Sequence, residues 1–459
     1  MLKKILLSIR LLSSLNVFCQ NFEWAKSEPF ASYVQWSNKV AHNNFGNTFI
    51  SSQHNNGILL VNYDRNGIKV WEKNYYGYGD VTSLCTDNFG NLYAGIMIAG
   101  LTINGIQYLE SSGGGYLLVK IDSLGNALWV KQLNASVFIS EKTDNQDNLI
   151  VTGGYFGTVH FDNTTIINLP IPNTGSSFYM AKFNTNGDCI WVIQEDGARF
   201  SPLKLKNGYM YVCDYFYGSV TLGKGSKKIT FYESNGQGYI AKYDSVGKLI
   251  WAKQGNYYDV APDENGNLYN FEGDAIGGYH SYLNKFDANG NLIWTRTHLY
   301  QSAGYKFAMD YSPNGIYITG GFRGNLTLDD TTIIEGGNYR LFAAKIDTSG
   351  RVKWLTTTNG SGGVGGKDIV IGISNEIYIT GDLSGINAFG NYTVSQANGG
   401  VFVTKIIDND VTAVKELPTS VNLFSVYPNP TGSIFNVYYR GVGADLTINI
   451  TNQLGQLVL

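Results

Sequence analysis

One eleven-residue phrase constrains this chain more than any other feature, because it recurs with fixed punctuation: VNYDRNGIKVW (61–71), VKIDSLGNALW (119–129), AKFNTNGDCIW (181–191), AKYDSVGKLIW (241–251), NKFDANGNLIW (284–294) and AKIDTSGRVKW (344–354). Its physics is that of a hairpin. An alternating strand ends in Asp or Asn, whose short side chain can bond the backbone two residues on. A glycine three residues later accepts positive φ, and a second strand runs into tryptophan. A seventh copy starts at TKIIDND (404–410) and has no tryptophan. A second turn phrase interleaves with the first, as in NNFGNTFIS (43–51), DNFGNLYAG (87–95), DENGNLYNF (263–271) and SPNGIYITG (312–320), giving seven alternations in all.

The two phrases define a unit of four strands: a before the second phrase, b after it, c ending at Asp, and d holding Trp. In the second unit these are expected near 80–87, 92–98, 116–122 and 127–133. The in-phase tryptophans are Trp24, Trp71, Trp129, Trp191, Trp251, Trp294 and Trp354. Trp24 precedes the first full unit, so the N-terminus offers a spare strand d where the last unit lacks one. Pairing 22–26 with 401–407 would remove the exposed edges. The expectation is an all-β, seven-bladed β-propeller over residues 21–408, within the roughly four to eight blades that such rings contain. An open solenoid or two sandwiches would leave both end deficits unexplained.

The K-[FIY]-D-x-x-G-x-x-x-W and D-x-x-G-N-x-Y-x-x-G phrases resemble the seven-bladed propeller repeats of secreted Bacteroidetes-type proteins, over about residues 21–408. Two departures, Asn184 in place of Asp and the bare Asn207-Gly208 pair, are expected to alter turn geometry locally. The ends carry addresses. Residues 1–19 read as a signal peptide, with Lys3 and Lys4 ahead of an apolar run and small residues before the cut. Phe18 argues against acylation of Cys19. After a polar linker (409–420), residues 421–459 resemble a type A C-terminal sorting domain of the type IX secretion system, on Tyr427, Pro428, Asn429, Pro430, Gly432 and Gly455. The resemblance implies recognition by the outer-membrane translocon, and a secreted or surface location. The chain stops about half-way through what such domains hold, so a small, partial β-sandwich-like tail is expected.

Composition narrows the function classes. The net charge is −3, and removal of the signal segment leaves 30 basic and 36 acidic residues, so no basic stripe across the chain speaks for nucleic acid. No second apolar run is long enough to span a membrane. Cys85, Cys189 and Cys213 form no CxxC and suggest small buried hydrophobes. The histidines (His42, His54, His160, His280, His298) show no ligand spacing, and neither a nucleophile elbow nor a P-loop occurs. Asp263-Glu264-Asn265-Gly266-Asn267 lacks the full oxygen set of a calcium loop and reads as a turn. No cofactor or metal is expected, and a monomer is.

Binding offers more. Strand alternation puts the b–c and d–a connections on one face. The second, third, fourth, sixth and seventh units carry long b–c links, such as 157–177 and 324–338, whose alternation suggests extra hairpins projecting there. The d–a connections hold Tyr75, Tyr76, Tyr78, Tyr257, Tyr258 and Tyr300. Tyrosine gives contact area at low entropy cost, so these six are candidate ligand residues for a glycan or protein. The expected function is a binding or adhesion module. A polysaccharide-degrading enzyme with carboxylates near the channel is the alternative, and a non-catalytic spacer the third reading.

Overall fold

The computed structural model describes residues 22–29, 38–54, 57–109, 115–133, 137–155, 158–161, 166–168, 177–195, 203–273, 280–304, 308–329, 331–334, 337–409, 423–427 and 436–440. The signal segment and most of the sorting tail, including Pro428, Asn429, Pro430, Gly432 and Gly455, lie outside them. The chain separates into two compact units, one spanning Cys19–Asp410 and the other the two termini. In the terminal unit, Leu423–Tyr427 pairs antiparallel with Asn436–Arg440, which sets Tyr427 opposite Asn436.

The larger unit is all-β and antiparallel. In the second repeat, strand a is the end of Lys69–Thr86, b the start of Leu92–Ile103, c is Tyr116–Ile121 and d is Ala127–Leu133. The third repeat runs Val137–Thr143, Leu149–Tyr155, Ser177–Phe183 and Cys189–Glu195 in the same order. The fourth runs Leu203–Lys206, Tyr209–Leu222, Ile229–Tyr243 and Leu249–Gln254. The last repeat takes its fourth strand from the other end of the chain. Phe22–Pro29 pairs antiparallel with Tyr392–Ile407, setting Trp24 opposite Lys405.

That register recurs and explains the phrase. Each in-phase tryptophan lies across from the same position of strand c: Asn62 for Trp71, then Lys120, Lys182, Lys242, Lys285 and Lys345 for Trp129, Trp191, Trp251, Trp294 and Trp354. Cross-strand partners share a sheet face, and in three units both side chains reach the c–d turn of the next unit. Trp129 Nε1 and Lys120 Nζ donate to one acceptor, Thr185 O, at 3.1 and 3.3 Å. Trp251 and Lys242 converge likewise on Ala288 O, and Trp24 and Lys405 on Arg65 O.

The turn is shaped to receive them. Its Asp Oδ1 accepts the N–H groups two and four residues on, as Asp122 does from Leu124 and Asn126. Its glycine sits at positive φ, and a β-carbon on Gly290 would stand 2.8 Å from the Trp251 ring. Asn184 departs from expectation: its Oδ1 accepts from Asn186 N and Asp188 N just as an aspartate would, because the main-chain donors use only that oxygen. At Asn207-Gly208 the turn does change. Both residues take positive φ in a two-residue hairpin that pairs Lys206 with Tyr209.

The long b–c links form hairpins in all five units where alternation suggested them, but these do not project. They fold down on the preceding unit. Leu101 and Ile103 bury beside Ile58, Leu60 and Tyr75; Val159 and Phe161 beside Tyr116 and Leu118; Leu326 and Leu328 beside Tyr269 and Leu283. Some also pair with the preceding d–a connection. Gly77 and Tyr78 lie opposite Leu101 and Gly100, and Tyr300 opposite Thr327. Paired backbone stays extended, so strands d and a merge into one 18-residue strand at Lys69–Thr86.

Candidate functional site

Two places concentrate polar or aromatic chemistry: the inner strands and the hairpin face. Strand a of each unit is joined to its neighbours by side chain to backbone bonds. Asp368 Oδ2 accepts Val40 N at 3.1 Å, Thr86 Oγ1 donates to His42 O, and Thr143 Oγ1 donates to Thr86 O. Ser140 Oγ accepts Leu203 N, Asp259 Oδ2 accepts Met309 N, and Asp310 Oδ2 accepts Ile371 N. Lys204 lies among these acids, donating to Met309 O at 2.8 Å with Asp259 3.9 Å away. Burial disfavours the Lys204 ammonium, but Asp259, Asp310 and Asp368 outweigh it and hold its pKa above the ordinary value. Burial pushes the Asp259 carboxyl up, against the pull of Lys204 and two N–H groups.

Sequence reasoning missed this set. Its only signal was charges inside strands: Asp259 and Asp310 alone in theirs, Lys204 together with Lys206, and Asp368 beside Lys367. The three carboxylates each accept two main-chain N–H groups, one of their own strand and one of the next. Their chemistry is that of a latch between strands. Among the described residues, no group of three or more His, Cys, Asp or Glu could hold a metal ion. Asp263 likewise caps a turn, accepting from Asn265, Asn267 and Tyr269.

The six candidate tyrosines do not act alike. Strand alternation through Lys69–Thr86 buries Tyr75 and turns out Tyr76 and Tyr78, which are 67% and 79% exposed. Tyr75 therefore packs the seam under the second unit's hairpin, and burial pushes its phenol up to about 12. Tyr257 is half-buried; its hydroxyl donates to Gln254 O and its ring meets Phe286 edge-on. The side chains of Tyr258 and Tyr300 lie outside the described residues. The fourth unit supplies exposed rings that the d–a connections did not point to: Tyr217 and Tyr232, on its hairpin.

His42 is half-buried at the junction of the seventh and first units. It stacks on Tyr378 at 4.3 Å, and its Nδ1 is 3.1 Å from Thr48 Oγ1. Burial, with Lys405 and Arg65 nearby and Glu376 opposing, lowers its pKa to about 4. Cys85 and Cys213 are buried and Cys189 is half-buried.

Residues 425–459 match the family described as the Secretion system C-terminal sorting domain. The match indicates type IX sorting, and with it export to the cell surface or the extracellular space. Among curated proteins none matches the chain. Solved structures similar to it include the Dos1 propeller (12% identity, 85% of this chain and 96% of that one, TM-score 0.44). Others are a streptogramin B lyase (9%, 83% and 98%, 0.43) and the WD40 domain of Toxoplasma gondii coronin (8%, 86% and 88%, 0.44). No helix among the described residues is long and apolar enough to cross a membrane.

Proposed function

We propose that residues 21–408 form a closed seven-bladed propeller of a secreted Bacteroidetes-type protein, exported after signal-peptide removal, which binds a glycan or a protein through its hairpin face. The observation that carries this reading is where the side chains are committed. The inner-strand acids accept main-chain N–H groups, whereas Tyr76 and Tyr78 present rings on a strand held by pairing, with Gly57–Tyr63 as far as Tyr76 and with Leu92–Ile103 from Gly77 on. Such rings are already ordered, so contact with them loses little entropy. Closure is supported by the pairing of Phe22–Pro29 with Tyr392–Ile407 and by the recurring Trp joint.

The test is a screen of the purified chain against glycan and matrix-protein arrays, alongside the Tyr76→Ala/Tyr78→Ala variant. Loss of binding with an unchanged melting temperature supports the reading. Unchanged array binding by the variant overturns the tyrosine assignment, and hydrolysis of a glycan overturns the choice of binding over catalysis. Deleting residues 425–459 should hold the protein inside the cell envelope; normal appearance outside would contradict type IX export.

A further inference from the structure

The fourth unit's hairpin differs from the others. Its tip reads Gly223-Lys224-Gly225-Ser226-Lys227-Lys228, with a single 3-10 turn at Gly225–Lys227. Lys224, Lys227 and Lys228 are all exposed, and none makes an ion pair among the described residues. The second unit turns instead on Asn104-Gly105 and the seventh on Gly390-Asn391, neither with a lysine. A basic cluster on a chain of net charge −3 is a local field of opposite sign to its surroundings.

The lysines continue into an ordered stripe. Lys228, Thr230 and Tyr232 follow one another at the strand period of two and so share a face. Across the hairpin, Ser219 lies opposite Tyr232 and Thr221 opposite Thr230. The other face is anchored, with Val220 and Leu222 buried beside Ile150 and Met180 of the third unit. Buried Glu195 also accepts Gly223 N at 2.8 Å. At the base, Tyr217 and Tyr232 are 49% and 74% exposed. Tyr217 meets Tyr215 edge-on at 5.1 Å over Gly236, where a β-carbon would stand 2.5 Å from the Tyr217 ring and from the Tyr215 hydroxyl. Gln254 Nε2 donates to Gln237 Oε1, which leaves Gln237 Nε2 and Gln254 Oε1 as a donor and an acceptor beside the rings. Glu233 is the carboxylate of this hairpin, at the end away from the lysines, and accepts Asn235 N.

We propose that this face binds an acidic polysaccharide, a sugar chain bearing carboxylate or sulfate groups. The lysines pair with the anions, the tyrosine rings stack on sugar faces, and the hydroxyls and amides bond the sugar hydroxyls. Lys228 and Tyr232 stand about 13 Å apart along the strand, which suits a chain and not a single small anion. The inference rests on the binding-module reading and names its ligand class.

The experiment titrates the full chain with polygalacturonate (carboxylate arm), chondroitin sulfate (sulfate arm), neutral dextran, single-stranded DNA and phosphatidylglycerol vesicles. Binding to at least one acidic polysaccharide is expected, weakened about tenfold or more between low and high salt. Dextran should not bind. The triple variant Lys224→Gln/Lys227→Gln/Lys228→Gln and the single variant Tyr232→Ala should each lose about tenfold, with unchanged melting temperatures, and Lys353→Gln should lose nothing. Equal binding of dextran, binding of DNA or vesicles as tight as the polysaccharide, or a triple variant that binds normally would overturn the proposal. Failure on all five probes while array binding persists overturns this inference and leaves the broader reading standing. Failure on the arrays as well overturns both.

Discussion

Six of the joints between consecutive units and the joint into the seventh are built differently. At the six, the incoming tryptophan lies against a positive-φ glycine: Trp24 on Gly67, Trp71 on Gly125, Trp129 on Gly187, Trp191 on Gly247, Trp251 on Gly290 and Trp294 on Gly350. The seventh phrase, TKIIDND, has neither that glycine nor the tryptophan. There Trp354 Nε1 donates to Asp408 Oδ1 at 3.0 Å, Lys345 pairs with Asp408 at 2.7 Å, and Tyr317 donates to the same carboxylate. One fully buried side chain thus stands in for a turn carbonyl. The recurring K-x-D-x-x-G-x-x-x-W phrase is therefore an inter-unit joint as much as a hairpin, and a carboxylate can replace its acceptor.

The sharpest way to break that comparison is Asp408→Ala. It strands a buried lysine and two buried donors, and should lower unfolding stability by about 3–5 kcal/mol. Chemical denaturation would read this; a loss within 1 kcal/mol would show that Asp408 is not a joint.

Acid should act next, at the junction of the seventh and first units. His42 has a folded pKa of about 4 against an ordinary value of 6.5. The unfolded chain binds its proton more readily, so the contribution is fully present above pH 6.5 and is lost as pH falls from there toward 4. About 3 kcal/mol at most is at stake. Glu376, Lys405 and Arg65 surround the ring, and Lys405 and Arg65 hold the Glu376 carboxyl below its ordinary value against burial. Melting curves at stepped pH should show the decline, and His42→Phe should flatten it.

Glycine substitutions grade the ordinary joint. Gly290→Ala forces a β-carbon onto Trp251 in a positive-φ turn and should cost about 1–3 kcal/mol. Gly208→Ala has the same sign of φ but open space around it, and should cost about 1 kcal/mol. Equal effects would mean that contact with the tryptophan contributes nothing. Trp71→Phe keeps the packing and removes one bond, to Ser123 O, so a loss of about 1 kcal/mol is expected from thermal unfolding.

Much of this was legible before any coordinates. Turn residues and alternation placed the four strands of each unit, and the orphan Trp24 beside the truncated seventh phrase pointed to the pairing of the two ends. Three things were not. Alternation in the b–c links announced hairpins but could not say that they lie on the neighbouring unit, since period two marks a strand and not its partner. Tyr75 looked like Tyr76 and Tyr78 because the segment read as a connection; once it is a strand, period two buries the first and exposes the others. Asp259, Asp310 and Asp368 were invisible because a charge in a strand gains meaning only from the adjoining backbone that it bonds.

The most direct test of the joint is a double-mutant cycle on Lys345 and Asp408, using Lys345→Met, Asp408→Leu and the pair. Each single variant should lose about 3–5 kcal/mol, because each leaves a buried charge without its partner, and the double variant should lose clearly less than their sum. Strictly additive losses would contradict the account that the Asp408 carboxylate takes the place of a turn carbonyl.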